Sequence, residues 1–155
     1  RLRLIARGSP GHGSIPHVDR AILKLSQALT ALDGALFPVH ISRSMRRLVA
    51  GIADQRPVAE AALWYNLLDP KTCDQALATL PIQPEFRREL EAVLRNTASV
   101  TVLEAGDKIN VIPAQATARI DGRLAPGQTQ KSFAAELRAL VGDQIEIPSV
   151  RSASS

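Results

Sequence analysis

The chain has little of several things, and each shortage excludes something. Among its 155 residues there is one cysteine, Cys73. No internal disulfide can form, and no thiolate metal cluster is available. Aromatic residues make up 3% of the chain, so the core must be built from Leu, Ile, Val and Ala. Three histidines stand apart, and the chain has no Glu-Glu element. The chain therefore does not display the ligand set of a zinc hydrolase. No apolar run approaches the about 20 residues of a membrane span. Arg1-Leu2-Arg3-Leu4-Ile5 already reads as a strand, so no signal peptide is expected in this stretch. A chain opening mid-strand suggests a piece of something longer, in a cytoplasmic setting with no membrane partner. The net charge of +4 is modest, and its cations are interspersed with acids. Without a basic stripe or an aromatic platform, nucleic acid is not an expected partner.

What is present is a hydrophobic content of 45% and an alternation of strand and helix patterns. Leu2, Leu4 and Ala6 alternate with polar neighbours, which predicts an opening strand. Gly8-Ser9-Pro10-Gly11-His12-Gly13-Ser14 is a permissive loop whose backbone can approach a ligand closely. Ser14 is the expected N-cap of the next helix, with Pro16 in its first turn. That helix carries Ala21, Ile22, Leu25, Leu29 and Leu32 on one stripe and ends at Gly34. Leu36 to Ile41 has the pattern of a short strand, interrupted by Pro38.

Residues 42–95 differ in character. Four apolar stripes at helical spacing follow one another: Met45 to Ile52, Ala61 to Leu68, Cys73 to Leu80, and Phe86 to Leu94. Short Pro-containing links separate them. Trp64, Tyr65 and Cys73 read as core residues of this helical segment.

From Thr97 to Leu103 the period is two, with Ala98, Val100 and Val102 on one face, as in a half-buried strand. Ala105-Gly106-Asp107-Lys108 is turn chemistry. After Pro113 the alternation resumes: Ala116, Ala118, Ile120 and Leu124 face one way, and Gln115, Thr117, Arg119, Asp121 and Arg123 the other. A final helix runs past Phe133, Leu137 and Val141 to Gly142, and Gln144 to Pro148 closes as a strand. Without residues 42–95 the order is strand, helix, strand, strand, helix, strand. That is the α+β, split βαβ (ferredoxin-like) arrangement: an antiparallel sheet with two helices on one face.

Two blocks carry a family resemblance. One is the Gly8–Ser14 loop. The other is Asn110-Val111-Ile112-Pro113-Ala114 followed by Asp121-Gly122-Arg123-Leu124-Ala125-Pro126-Gly127. In this order they resemble the dimerisation (lid) domain of the two-zinc exopeptidases and amidohydrolases. That family includes aminoacylase, acetylornithine deacetylase, succinyl-diaminopimelate desuccinylase and glutamate carboxypeptidase. The resemblance implies that residues 1–41 and 96–149 form the lid, with 42–95 inserted in it as an all-helical segment and 150–155 as a tail. It also implies a homodimer, a separate catalytic domain holding two zinc ions, and no metal in this chain. The substrate would be a small peptide or N-acyl amino acid, and the fragment alone would be inactive.

The resemblance assigns roles to three residues. His12 would steady the substrate oxyanion in the partner subunit's active site, as a donor aimed where charge develops. Asn110 and Arg123 would bind the substrate carboxylate, for which a planar guanidinium is suited. The three are expected to meet at one rim of the sheet. Each also has a plainer reading. His12 is an ordinary loop histidine, Asn110 a turn asparagine, and Arg123 the partner of Asp121 on the same strand face. On that reading the chain is a non-catalytic ferredoxin-like assembly or ligand-binding module.

Overall fold

A computed structural model of the chain describes residues 1–148. The tail expected over 150–155 lies outside the described residues. The chain divides into two compact units: residues 1–35, 98–122 and 131 onward form the first, and residues 36–97 and 123–130 the second.

The first unit is built on an antiparallel sheet of β1 (Leu2–Arg7), β3 (Thr97–Ala105), β5 (Gln115–Arg123) and β6 (Ile145–Glu146), in the order β3-β5-β1-β6. In register, Leu2 faces Ile120, Leu4 faces Ala118 and Ala6 faces Ala116. Directly opposed residues share a sheet face, and all six are buried. Two helices cover that face. α1 (Ala21–Leu32) packs on β1 and β6. α6 (Gln130–Val141) sets the Phe133 ring over Gly122, which has the same parity as Ile120. The expected α+β architecture and element order are therefore observed. Gly142 stops α6 as expected, at φ 81 and with its N–H donating to the Arg138 carbonyl.

Some expectations are corrected. β3 is an edge strand, and it is exposed from Ser99 onward rather than half-buried. Period two fixes which residues share a face, but not whether anything in the same chain covers it. Thr117, placed on the polar face by alternation, is buried. It pairs with Ile5 in the middle of the sheet and accepts a hydrogen bond from the Gln115 side chain. Leu124, assigned to the apolar face, is exposed. The predicted strand over Leu36–Ile41 amounts to one bridge, Val39 with Arg95.

The second unit contains α2 (Arg43–Ala53), α3 (Val58–Tyr65), a 3₁₀ turn (Asn66–Leu68), α4 (Cys73–Thr79) and α5 (Pro84–Leu94). Its core includes Met45, Val49, Trp64, Leu67, Cys73, Leu77, Leu90 and Leu94. Trp64 lies 6.4 Å from Phe86 in a tilted arrangement, and the Arg56 guanidinium stands 5.3 Å over its ring. Tyr65 is exposed and donates to the Asp54 carboxylate at 3.0 Å. It is thus not a core residue: it follows Trp64 by one position, about 100° round the helix.

Candidate functional site

The two motif loops of the first unit meet. β2 (Gly11–His12) pairs antiparallel with β4 (Val111–Ile112), with Gly11 opposite Ile112 and His12 opposite Val111. The Gly13 N–H donates to the Asn110 carbonyl at 2.9 Å. His12 and Asn110 therefore end at adjacent positions of one small ribbon, although they lie 98 positions apart in the sequence. Both are exposed. Val111 shares the face of His12 and sets an apolar surface beside the imidazole. Asn110 lies in a turn, so the ribbon pairing does not dictate the direction of its side chain.

The sequence explains why this ribbon is held. The Gly8 N–H donates to the Ala114 carbonyl at 2.9 Å, which joins the two loops at their base. A Cβ on Gly8 would lie 2.5 Å from the Ala21 nitrogen and 2.7 Å from the Asp19 carbonyl oxygen. Only glycine permits that approach of two backbones. Ser9 hydrogen-bonds Asp19 twice: its N–H to the carbonyl at 2.8 Å and its hydroxyl to the carboxylate at 2.9 Å. Lys24 reaches the same carboxylate and also the Arg7 carbonyl. These donors, Lys24 first and Ser9 second, hold the Asp19 carboxyl below the usual carboxylate range. The loop is thereby folded back on the start of α1, and the helix begins at Ala21 rather than near Ser14.

Ser14 is consequently not an N-cap. The residue before α1 is Arg20, which makes no side-chain cap. Ser14 turns back instead, and its hydroxyl lies 2.8 Å from His12 Nδ1. On the other side of the ribbon, the His17 ring occupies the space where a Gly11 Cβ would stand, with its Nε2 at 2.2 Å from that point. Sequence reasoning gave His17 no context. The signal was the glycine one position before His12, which leaves room for a ring.

Arg123 is the last residue of β5, is exposed, and belongs to the second unit. The pairing of His12 with Asn110 is a feature of the first unit alone. Another residue missed by the sequence reading is Asn96, which is 1% exposed and whose carboxamide oxygen accepts from the Ala125 N–H at 2.9 Å. Nothing in its local sequence separates it from an ordinary turn asparagine.

Among the described residues, no group of three or more His, Cys, Asp and Glu side chains could hold a metal ion. Zinc does not fit the described residues.

Residues 1–146 match the family described as the peptidase dimerisation domain. The chain belongs to this family. It is 30% identical over 134 residues to the probable carboxypeptidase S-like 2 of Dictyostelium discoideum, covering 86% of this chain and 24% of that protein. It is 26% identical over 145 residues to an N-fatty-acyl-amino acid synthase/hydrolase of Homo sapiens, covering 92% of this chain and 27% of that protein. The chain thus spans about a quarter of the length of these relatives. Among solved structures, the di-peptidase Dug1p of Saccharomyces cerevisiae aligns with a TM-score of 0.48 at 17% identity, over 90% of this chain and 30% of that one. A metallo-carboxypeptidase of Sulfolobus solfataricus gives 0.47 at 17% identity, over 94% and 41%. A peptidase dimerisation domain implies self-association within a peptidase. No described helix is long and apolar enough to cross a membrane.

Proposed function

We propose that this chain serves as the lid and dimerisation domain of a zinc-dependent peptidase or N-acyl-amino-acid deacylase, and that residues 42–95 are an insertion in that lid. His12 donates a hydrogen bond to the substrate carbonyl oxygen in the active site of the partner subunit. Asn110 and Arg123 bind the substrate carboxylate. The zinc ions and their ligands belong to the catalytic domain. The chain alone is inactive. The observation that supports this reading best is the β2–β4 ribbon, which presents His12 and Asn110 together and exposed on a braced loop. An exposed imidazole held this way costs little folding free energy to keep and is free to meet a second subunit.

Self-association is proposed through the first unit. Val100, Val102 and Leu103 are exposed on the edge strand β3, and Ile22 and Leu23 on α1. Exposed apolar edge strands tend to pair with another copy.

The test uses the protein that joins this chain to its catalytic domain. His12→Ala should lower kcat by about 10²–10³-fold, the usual loss of one oxyanion donor, with an unchanged thermal midpoint. Mixing that variant with a subunit inactivated in its catalytic domain should restore activity, because one intact active site would then receive one intact His12. Failure of the mixture to recover would end the proposal that His12 acts across the dimer. Undiminished kcat in the single variant would leave only an assembly role.

A further inference from the structure

Ser14 makes two contacts with His12, and both fall on one atom. The hydroxyl oxygen lies 2.8 Å from Nδ1, and the Ser14 backbone N–H donates to the same nitrogen at 3.4 Å. A backbone N–H can only donate. Nδ1 must therefore offer its lone pair, and a neutral imidazole with a lone pair on Nδ1 carries its proton on Nε2. The hydroxyl can rotate, so it is then set to donate to Nδ1 as well. The turn holding Ser14 is fixed at two further points. The Ile15 N–H donates to the His12 carbonyl at 3.0 Å, and the Gly13 N–H to the Asn110 carbonyl at 2.9 Å. Nε2 makes no hydrogen bond among the described residues, so it is the nitrogen left for a ligand.

We infer that Ser14 is a positioning residue that holds His12 in the Nε2–H tautomer. The consequence is chemical. In the other tautomer Nε2 would turn a lone pair toward a negatively charged oxygen and repel it. In this one it presents a donor while the ring stays neutral. The inference rests on the proposed role of His12 and supplies the reason its ring is ready for that role without a carboxylate partner.

The test reads the tautomer directly. In a nitrogen–proton correlation spectrum of the full chain at about pH 8.5, where imidazole is neutral, wild-type His12 should show a protonated Nε2 and an unprotonated Nδ1. Ser14→Ala keeps the backbone donor and loses the hydroxyl, so both nitrogen signals should move part-way toward each other as the tautomers mix, and Ser14→Thr, which keeps the hydroxyl, should restore the separation. In the protein joined to its catalytic domain, Ser14→Ala should lower kcat about 2–10-fold, the range expected for one hydrogen bond, with KM unchanged. Ser14→Thr should recover the rate. A wild-type spectrum with the proton on Nδ1 would overturn the inference, and so would an unmoved tautomer in Ser14→Ala. His12→Ala is measured alongside. If it leaves kcat intact, the catalytic reading of His12 fails, and the spectrum alone still decides what Ser14 does.

Discussion

The two units hold their polar groups in opposite ways. In the sheet unit, the bracing side-chain contacts are at or near the surface: Ser9 to Asp19 and Ser14 to His12 at the ribbon, and Arg7 to Glu146 between β1 and β6. The helical unit has surface pairs too, such as Tyr65 with Asp54, but two of its bracing groups, Arg95 and Asn96, are buried. Arg95, 8% exposed, donates to the Phe37 carbonyl and to the Asp74 carboxylate, and Asn96 holds Ala125. The difference sets what each unit tolerates. An exposed partner that is lost is replaced by water, whereas a buried one leaves an unsatisfied group and its full desolvation cost. The sheet unit can therefore lose such surface contacts at small cost in folding stability. The helical unit cannot lose Arg95 or Asn96 at so small a cost.

The largest test of that contrast is Trp64→Ala. The side chain is 1% exposed and packed against Phe86, so its removal should destabilise the helical unit by about 3–5 kcal/mol, read by denaturant unfolding. Next is Asn96→Ala, which strands the Ala125 N–H and should cost about 1–3 kcal/mol. A loss well under about 1 kcal/mol would show that the carboxamide oxygen is not what matters there. A third change sharpens the comparison from the other side, because the sheet unit has a rigid interior of its own. In Gly122→Ala the new Cβ would stand 2.3 Å from Phe133 Cε1, against a ring only 2% exposed. Overpacking of this kind should cost about 1–3 kcal/mol. Full tolerance would show that α6 is free to lift from the sheet.

The smallest effect concerns acid. Lys24 and Ser9 lower the Asp19 pKa below its ordinary value. The folded state therefore binds the proton less readily than the unfolded chain. The stabilisation is present above about pH 4 and is lost as pH falls through the lowered value. Asp19→Asn should be slightly less stable than wild type near neutrality and indistinguishable from it once the pH has fallen below the lowered value. Thermal midpoints taken across that range would check it. A gap that widened in acid would contradict the assignment.

These contrasts also explain what the sequence made legible. Periodicity identified the helices and the sheet strands because each buries one face, as Leu4, Ala6, Ala118 and Ile120 show. Glycine at the end of α6 marked its stop because the backbone there needs positive φ. His12, Asn110 and Arg123 were expected to meet; the ribbon accounts for the adjacency of the first two in backbone hydrogen bonds, and Arg123 belongs to the second unit. Ser14 was misread because a serine before a proline fits a helix start, and nothing local shows that Asp19 and Gly8 delay α1 until Ala21. The exposure of β3 was hidden because alternation reports the chain's own period and not its neighbours. Asn96 was passed over because its partner lies 29 positions away.

Cys73 is the chain's sole sulfhydryl, is fully enclosed in the helical unit, and has its thiol pKa pushed up by that enclosure. Alkylating reagents attack the thiolate, so Cys73 should stay unlabelled until the surrounding helices part. The rate at which it is captured then clocks the opening of one half of the molecule with no engineered tag. Set against exchange of the β1 amides, that clock tells whether the halves come apart together or in turn.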